Sequence, residues 1–278
     1  MSDPKKDSAS AAADLRDMAL FLADSGVDTP LVEEPVNRFE VRPVEPAART
    51  APRPAPVPRA QTPPTVTPGS GAVVPDDTQA ARARELAREA KTLDELRAIM
   101  GAFDGCNLRM TAKNLVFADG NPEADLMLVG EAPGREEDIE GLPFVGRSGQ
   151  LLDRILAAIG RDRGSAYIAN VIPWRPPGNR DPSPMETEIC RPFIERQIEL
   201  AAPRVLVTLG NPSTKTLLGA QAGIMRMRGN WQTYRSPAGL EVPAMPTLHP
   251  AYLLRNPAHK RLAWRDFLDI KAKLAALA

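Results

Sequence analysis

Cysteine is nearly missing from this chain: among 278 residues only Cys106 and Cys190 occur, far apart and without CxxC spacing. A disulfide framework is thereby excluded, and a reducing compartment is implied. Histidine is as scarce, with His249 and His259 alone. Net charge is absent as well, 35 basic residues standing against 35 acidic ones, which argues against a histone-like or purely electrostatic binder of nucleic acid. No apolar run reaches the length of a membrane span, and the opening MSDPKKDSAS lacks the hydrophobic stretch of a signal peptide. No membrane partner is expected, and the cytoplasm is the default location.

Proline, by contrast, is abundant: 29 residues, ten of them crowded into positions 43–75, where APRPAPVPRAQTPPTVTPGSG runs without an aromatic residue or apolar periodicity. Such a stretch cannot bury enough apolar surface to offset its ordering entropy. Residues 1–76 therefore read as a disordered Pro-rich arm, and 77–278 as the folded domain. Inside the arm, Leu15, Met18, Ala19, Phe21 and Leu22 fall at helical spacing and predict a short helix at about 13–25. A lone helix is marginal in water, so this one is expected to dock, a protein partner being one candidate.

Beyond the arm, residues 79–100 are helical in pattern and broken near Lys91, with Thr92 and Glu95 placed as a capping box. Four apolar runs follow, each ending in a polar cluster. Residues 126–129 lead into Gly130-Glu131-Ala132-Pro133-Gly134, 167–168 into Ala169-Asn170, 205–209 into Gly210-Asn211, and 242–248 into His249-Pro250. Helical patterns separate them at 149–159, 184–201 and 212–218, and a last one covers 258–277. This alternation predicts an α/β fold, three-layer α/β/α, around a central four-stranded, mainly parallel sheet. Ligands bind such sheets at the carboxyl ends of the strands, where the polar clusters fall. The glycines of the first cluster allow a sharp turn and close approach to a flat ligand, and the loop N–H groups can meet carbonyl oxygens. No Lys-Ser/Thr follows and no GxGxxG is present, so neither nucleotide-loop reading holds.

GEAPGREEDIEGLPFVGRSGQLL, then YIANVIPWRPPGNRDPSPMETEICRPFIERQIEL, then HPAYLLR, in this order and from about Cys106 onward, resemble the successive motifs of the family 4 uracil-DNA glycosylases. The resemblance implies base-excision repair of DNA: hydrolysis of the bond between uracil and deoxyribose, leaving an abasic site. It also implies uracil-containing DNA as partner, a monomer, and a nucleoid-associated cytoplasmic enzyme. No lysine stands in the motifs to form a Schiff base, which favours a monofunctional hydrolase.

The chemistry asks for stacking on the base, an amide that reads its edge, and donors facing the uracil O2 as charge develops there. Asn170 can donate to O4 and accept from N3–H, a pairing that cytosine cannot satisfy. By resemblance, Glu131 and Ala132 belong to the uracil loop, Phe144 is the stacking ring, and His249 faces the leaving oxygen. Glu131, Glu137 and Asn179 are candidates for charge stabilisation or placement of the attacking water, with roles undivided among them; Glu136 and Asp138 are as readily solvated. Base flipping calls for a wedge and phosphate contacts. The run Tyr252, Leu253, Leu254 and Arg255 suits that, its apolar residues as wedge and Arg255 toward phosphate, with Arg226 and Arg228 as a second backbone-contacting loop and Arg175 and Arg180 as further basic residues.

The family's members carry a 4Fe-4S cluster on four cysteines, and here the chain departs. Cys106 and Cys190 match two of the positions, while Phe103 and Trp174 occupy the other two and cannot ligate iron. The cluster is expected to be lost, with no other cofactor in its place. A subgroup that links covalently to DNA uses a histidine in the region of 179–182, where this chain has none. Two rivals remain: the same fold acting on another deaminated base, and a non-catalytic module that only binds damaged DNA.

Overall fold

A computed structural model describes residues 77–277; the Pro-rich segment 1–76 and the helix expected at about 13–25 lie outside the described residues. The chain runs through α1 (Asp77–Glu89), α2 (Leu93–Ala102), α3 (Leu108–Thr111), β1 (Asp119–Gly120), β2 (Leu126–Gly130), α4 (Arg135–Glu140), α5 (Arg147–Ala158), β3 (Tyr167–Asn170), α6 (Pro184–Ala201), β4 (Val205–Leu209), α7 (Asn211–Leu218), α8 (Ile224–Met227), β5 (Gln232–Arg235), β6 (Glu241–Thr247), α9 (Pro250–Arg255) and α10 (Lys260–Leu277). The break near Lys91 is where expected. Thr92 caps α2 by accepting from Glu95 N, but the Glu95 carboxylate reaches back to Lys91 N rather than closing a full box.

The sheet order is β1-β3-β2-β4-β6-β5. The four expected strands form its parallel centre, and two antiparallel edges widen it: β1 beside β3 and β5 beside β6. Because successive strand residues face opposite ways, β2 divides its apolar side chains between two cores. Met127 and Val129 join α1, α2 and α6 on one face; Leu126 and Leu128 join α5 and α10 on the other. Both faces of the centre are thus dry, which accounts for strands that read as continuous apolar runs. The result is the three-layer arrangement, with strand order reversing between β2 and β4, the place where α/β sheets bind ligands.

Candidate active site

The strand ends at this switch point converge through missing side chains. Gly130, the last residue of β2, pairs in register with Asn170 at the end of β3. A Cβ on Gly130 would lie 2.4 Å from Asn170 Oδ1 and 2.6 Å from Phe144 Cζ, so glycine alone lets the amide and the ring close on one strand end. Across the switch, Gly210 follows β4 with φ 94°, and a Cβ there would stand 3.0 Å from His249 Cβ. The Phe144 and His249 ring centroids are 5.5 Å apart, their planes 30° apart. Asn170, Phe144 and His249, distant in sequence, therefore meet at one place.

Each carries a distinct chemical state. Asn170 is buried at 5% exposure, and its Oδ1 has no hydrogen-bond partner. A buried acceptor left unmet costs free energy, and a ligand donor recovers it. His249 caps α9: its Nδ1 accepts from Ala251 N at 3.1 Å. Nδ1 as acceptor fixes the neutral tautomer with the proton on Nε2, which is left as a donor. Burial, and secondarily the charge of Arg255, pushes the imidazole down to about 4, so it is uncharged at neutral pH. The half-buried Glu131 carboxyl is raised above its ordinary value by burial and then by Asp181, and it has no side-chain hydrogen bond among the described residues.

The family model of the uracil DNA glycosylase superfamily matches residues 117–268. The type-4 uracil-DNA glycosylase of Saccharolobus solfataricus is 40% identical over 176 residues, covering 62% of this chain and 81% of the relative. Its counterpart in Archaeoglobus fulgidus is 37% identical over 185 residues (65% and 92%), and that of Thermotoga maritima 41% over 170 residues (60% and 86%). The chain belongs to the uracil DNA glycosylase superfamily.

Within this superfamily member, several expected site residues have other tasks. Both oxygens of Glu137 are taken, accepting from Gly134 N at 3.0 Å, Val145 N at 3.1 Å and Gly146 N at 3.0 Å. Glu137 is thus a clamp on the glycine loops, not a carboxylate open to a sugar or water. Asp138 is buried rather than solvated, accepting from Lys113 N and Asn114 N, whereas Glu136 is exposed. Asn179 is exposed in the turn Pro177–Asn179, and its Oδ1 accepts from Arg175 Nε at 2.7 Å, so these two candidates form one unit. Asp181 of the adjoining loop is near enough for its charge to raise the Glu131 carboxyl further. Ala132, beside Glu131, is partly buried against the core.

The expected DNA face needs two corrections. Leu253 is 1% exposed and packs with Leu248 and Ala263; on the same turn Leu254, at 37%, is the apolar residue that faces out. Arg228 is engaged inward, paired through Nη2 with Asp266 and donating to Leu262 O at 2.9 Å, so it is withdrawn from phosphate contact. Arg180 makes a two-pronged contact to Glu186 at 2.7 and 2.9 Å. Arg226 and Arg255 are exposed. Half-buried Tyr252 bonds His259 Nδ1 at 2.7 Å and stacks on it, so His259, though outside the motif, is attached to it. Since Asp266 is fully buried and also accepts from Thr247 at 2.6 Å, Arg228→Ala is expected to lower stability by about 3–5 kcal/mol by leaving a buried charge unpaired. Urea melts monitored by circular dichroism check this; an unchanged midpoint would return Arg228 to the DNA-contact set.

At the family's cluster position the residues do not fit four-thiolate ligation. Cys106 and Cys190 are fully buried with Sγ atoms 3.9 Å apart. Phe103 and Trp174 are packed into the same core, Phe103 meeting Phe193 edge-on at 5.1 Å. Among the described residues, no group of three or more His, Cys, Asp or Glu side chains is placed to hold a metal ion.

Proposed function

We infer that this chain removes uracil from DNA by hydrolysing the N-glycosidic bond, leaving an abasic site, as in base-excision repair. The observation that carries the reading is the buried, unpartnered Asn170 Oδ1 facing the same strand end as the Phe144 ring. An acceptor from which water is excluded is suited to uracil N3–H, and the Asn170 amide N–H to O4, while cytosine lacks the N3 proton. The flipped base stacks on Phe144. As the C1′–N1 bond breaks, its electron pair passes to the uracil ring, and the His249 Nε2–H donates to O2 as negative charge grows there. A neutral donor suits this role, because it stabilises the anion without requiring a proton from solvent. Water then adds to C1′ and loses a proton. Glu131, whose carboxylate is open where that of Glu137 is closed, is assigned to the sugar cation or the water. Leu254 takes the wedge position, with Arg255 and Arg226 toward phosphate.

A 5′-labelled duplex bearing one uracil tests this: incubation followed by alkali should break the strand at that position. Parallel duplexes with hypoxanthine or xanthine should stay intact. Binding without alkali-labile sites would favour a recognition module, and preferential release of another base would favour the sister specificity.

We also propose that the domain works without iron, since two aromatic rings replace two ligands. Purified protein should be colourless, lack the broad visible absorption of iron–sulfur proteins, and keep full excision after chelation. A brown protein that bleaches with loss of activity would overturn this.

A further inference from the structure

The stacking ring rests on backbone that phenylalanine disfavours. Phe144 has φ 55°, the left-handed region that bulky L residues rarely adopt. Something must hold it, and two side chains grip the peptide plane that follows it. The N–H side of the Phe144–Val145 peptide donates to Glu137 Oε1 at 3.1 Å. Its carbonyl side accepts from Arg163 Nη2 at 2.5 Å, and the preceding Pro143 carbonyl accepts from Arg163 Nη1 at 3.1 Å. The guanidinium is itself anchored by Asp119 of β1 at 2.5 Å and Asp153 of α5 at 2.9 Å. Gly149 completes the cradle, since a Cβ there would fall 1.5 Å from Phe144 O.

We propose that Arg163, which lies outside every motif discussed above, is a positioning residue for uracil recognition, fixing the Phe144–Val145 peptide so that the ring presents its face to the base. The proposal rests on reading Phe144 as the stacking platform. The geometry requires a planar fork: one group meets two carboxylates and two carbonyls at once, and an ammonium on a flexible stem cannot reproduce that set. A displaced ring stacks poorly and leaves the base out of line for reaction, and misplacement of about 1 Å from a distant change costs on the order of 100-fold in rate.

Four proteins decide it: Arg163→Ala, Arg163→Lys, Phe144→Ala and the double Arg163→Ala/Phe144→Ala. The readouts are single-turnover excision, inhibition by free uracil, and affinity for DNA that already holds an abasic site. Arg163→Ala is expected to lose about 10- to 100-fold in excision and to need correspondingly more uracil for inhibition. Abasic-DNA affinity should stay at the parental value, a split that general loosening of the fold does not produce. In the Phe144→Ala background the same substitution should cost less than about threefold, because the ring through which it acts is gone. Arg163→Lys keeps the charge near both aspartates but not both carbonyl bonds, and should still lose at least about fivefold. It carries the test if the alanine variant does not fold. If Phe144→Ala leaves uracil inhibition unchanged, the stacking reading itself fails. If Phe144→Ala weakens inhibition while the Arg163 variants match the parent, or the two losses simply add, the role of Arg163 fails and the stacking reading stands.

Discussion

Replacing His249 by alanine is expected to leave binding of uracil-containing DNA nearly normal and to slow single-turnover excision by about 10²–10³, the loss seen when one donor to a developing oxyanion is removed. The interaction forms fully only as charge moves onto O2, so it lowers the barrier rather than tightening the ground state. The ring's second task, accepting from Ala251 N at the start of α9, costs only about 1 kcal/mol when lost, so the variant should remain folded. The pH dependence sharpens the test. With the imidazole held down to about 4 by burial and then by Arg255, excision should show no inflection near pH 6.5, where an ordinary histidine titrates. The linked stability runs the same way: the folded state binds this proton less readily than the unfolded chain, so the contribution is complete above about pH 6.5 and is lost as pH falls through about 4. A rate that changes tenfold across pH 6.5, and loses that change in His249→Ala, would show the ring acting as a cation instead. Equal excision by His249→Ala and the parent would remove it from the mechanism. His259→Ala should spare the chemical step and, because it releases Tyr252, weaken DNA binding.

Asn170→Asp is the second large effect expected. The amide nitrogen, a donor toward O4, becomes an oxygen, and two acceptors then face each other in a place that is 5% exposed. Sites built to hydrogen-bond one partner reject a mismatched one by 10⁴–10⁵, so a loss of at least about 100-fold in uracil excision is a conservative expectation. In the fraction that burial keeps protonated, a proton on the oxygen facing N3 gives a donor for the cytosine N3 and leaves an acceptor for its N4–H, the reverse of the amide pattern that uracil meets. Detectable cytosine release should therefore accompany the loss. Single-turnover assays on matched uracil and cytosine duplexes measure both quantities. Parental uracil excision would mean that Asn170 does not read the base, and its unmet Oδ1 would then need another explanation.

The corrections to the DNA face share one cause. Leu253 and Leu254 are adjacent and equally apolar, and a helix turns about 100° between them. Packing against Leu248 and Ala263 decides which one points inward, and no local pattern in a six-residue helix states that choice. Arg226 and Arg228 present the same ambiguity: one is exposed, while the other finds Asp266, 38 residues away in the chain. Glu137 differs again. Its spacing from Glu131 and its place in the motif suit catalysis, yet α4 turns it back onto the loop N–H groups.

By itself the sequence determined what depends on short-range order. Apolar runs of strand length, separated by helical periods, specified the parallel four-stranded centre and the strand ends at which Glu131, Asn170 and His249 stand. The ordered motifs specified the family. The tertiary structure alone decided what depends on residues distant in the chain. β1 is two residues long, too short for any period to reveal it, and exists because Asp119 and Gly120 meet β3. The neutral tautomer of His249 follows from the cap of α9, and the closure of Glu137 from the loop N–H groups of Gly134, Val145 and Gly146. Arg163 matters only because folding brings Asp119, Asp153 and the Phe144 carbonyl around one guanidinium. A motif records which side chains the chemistry requires, whereas their protonation, exposure and orientation are set by neighbours that only the packed fold supplies.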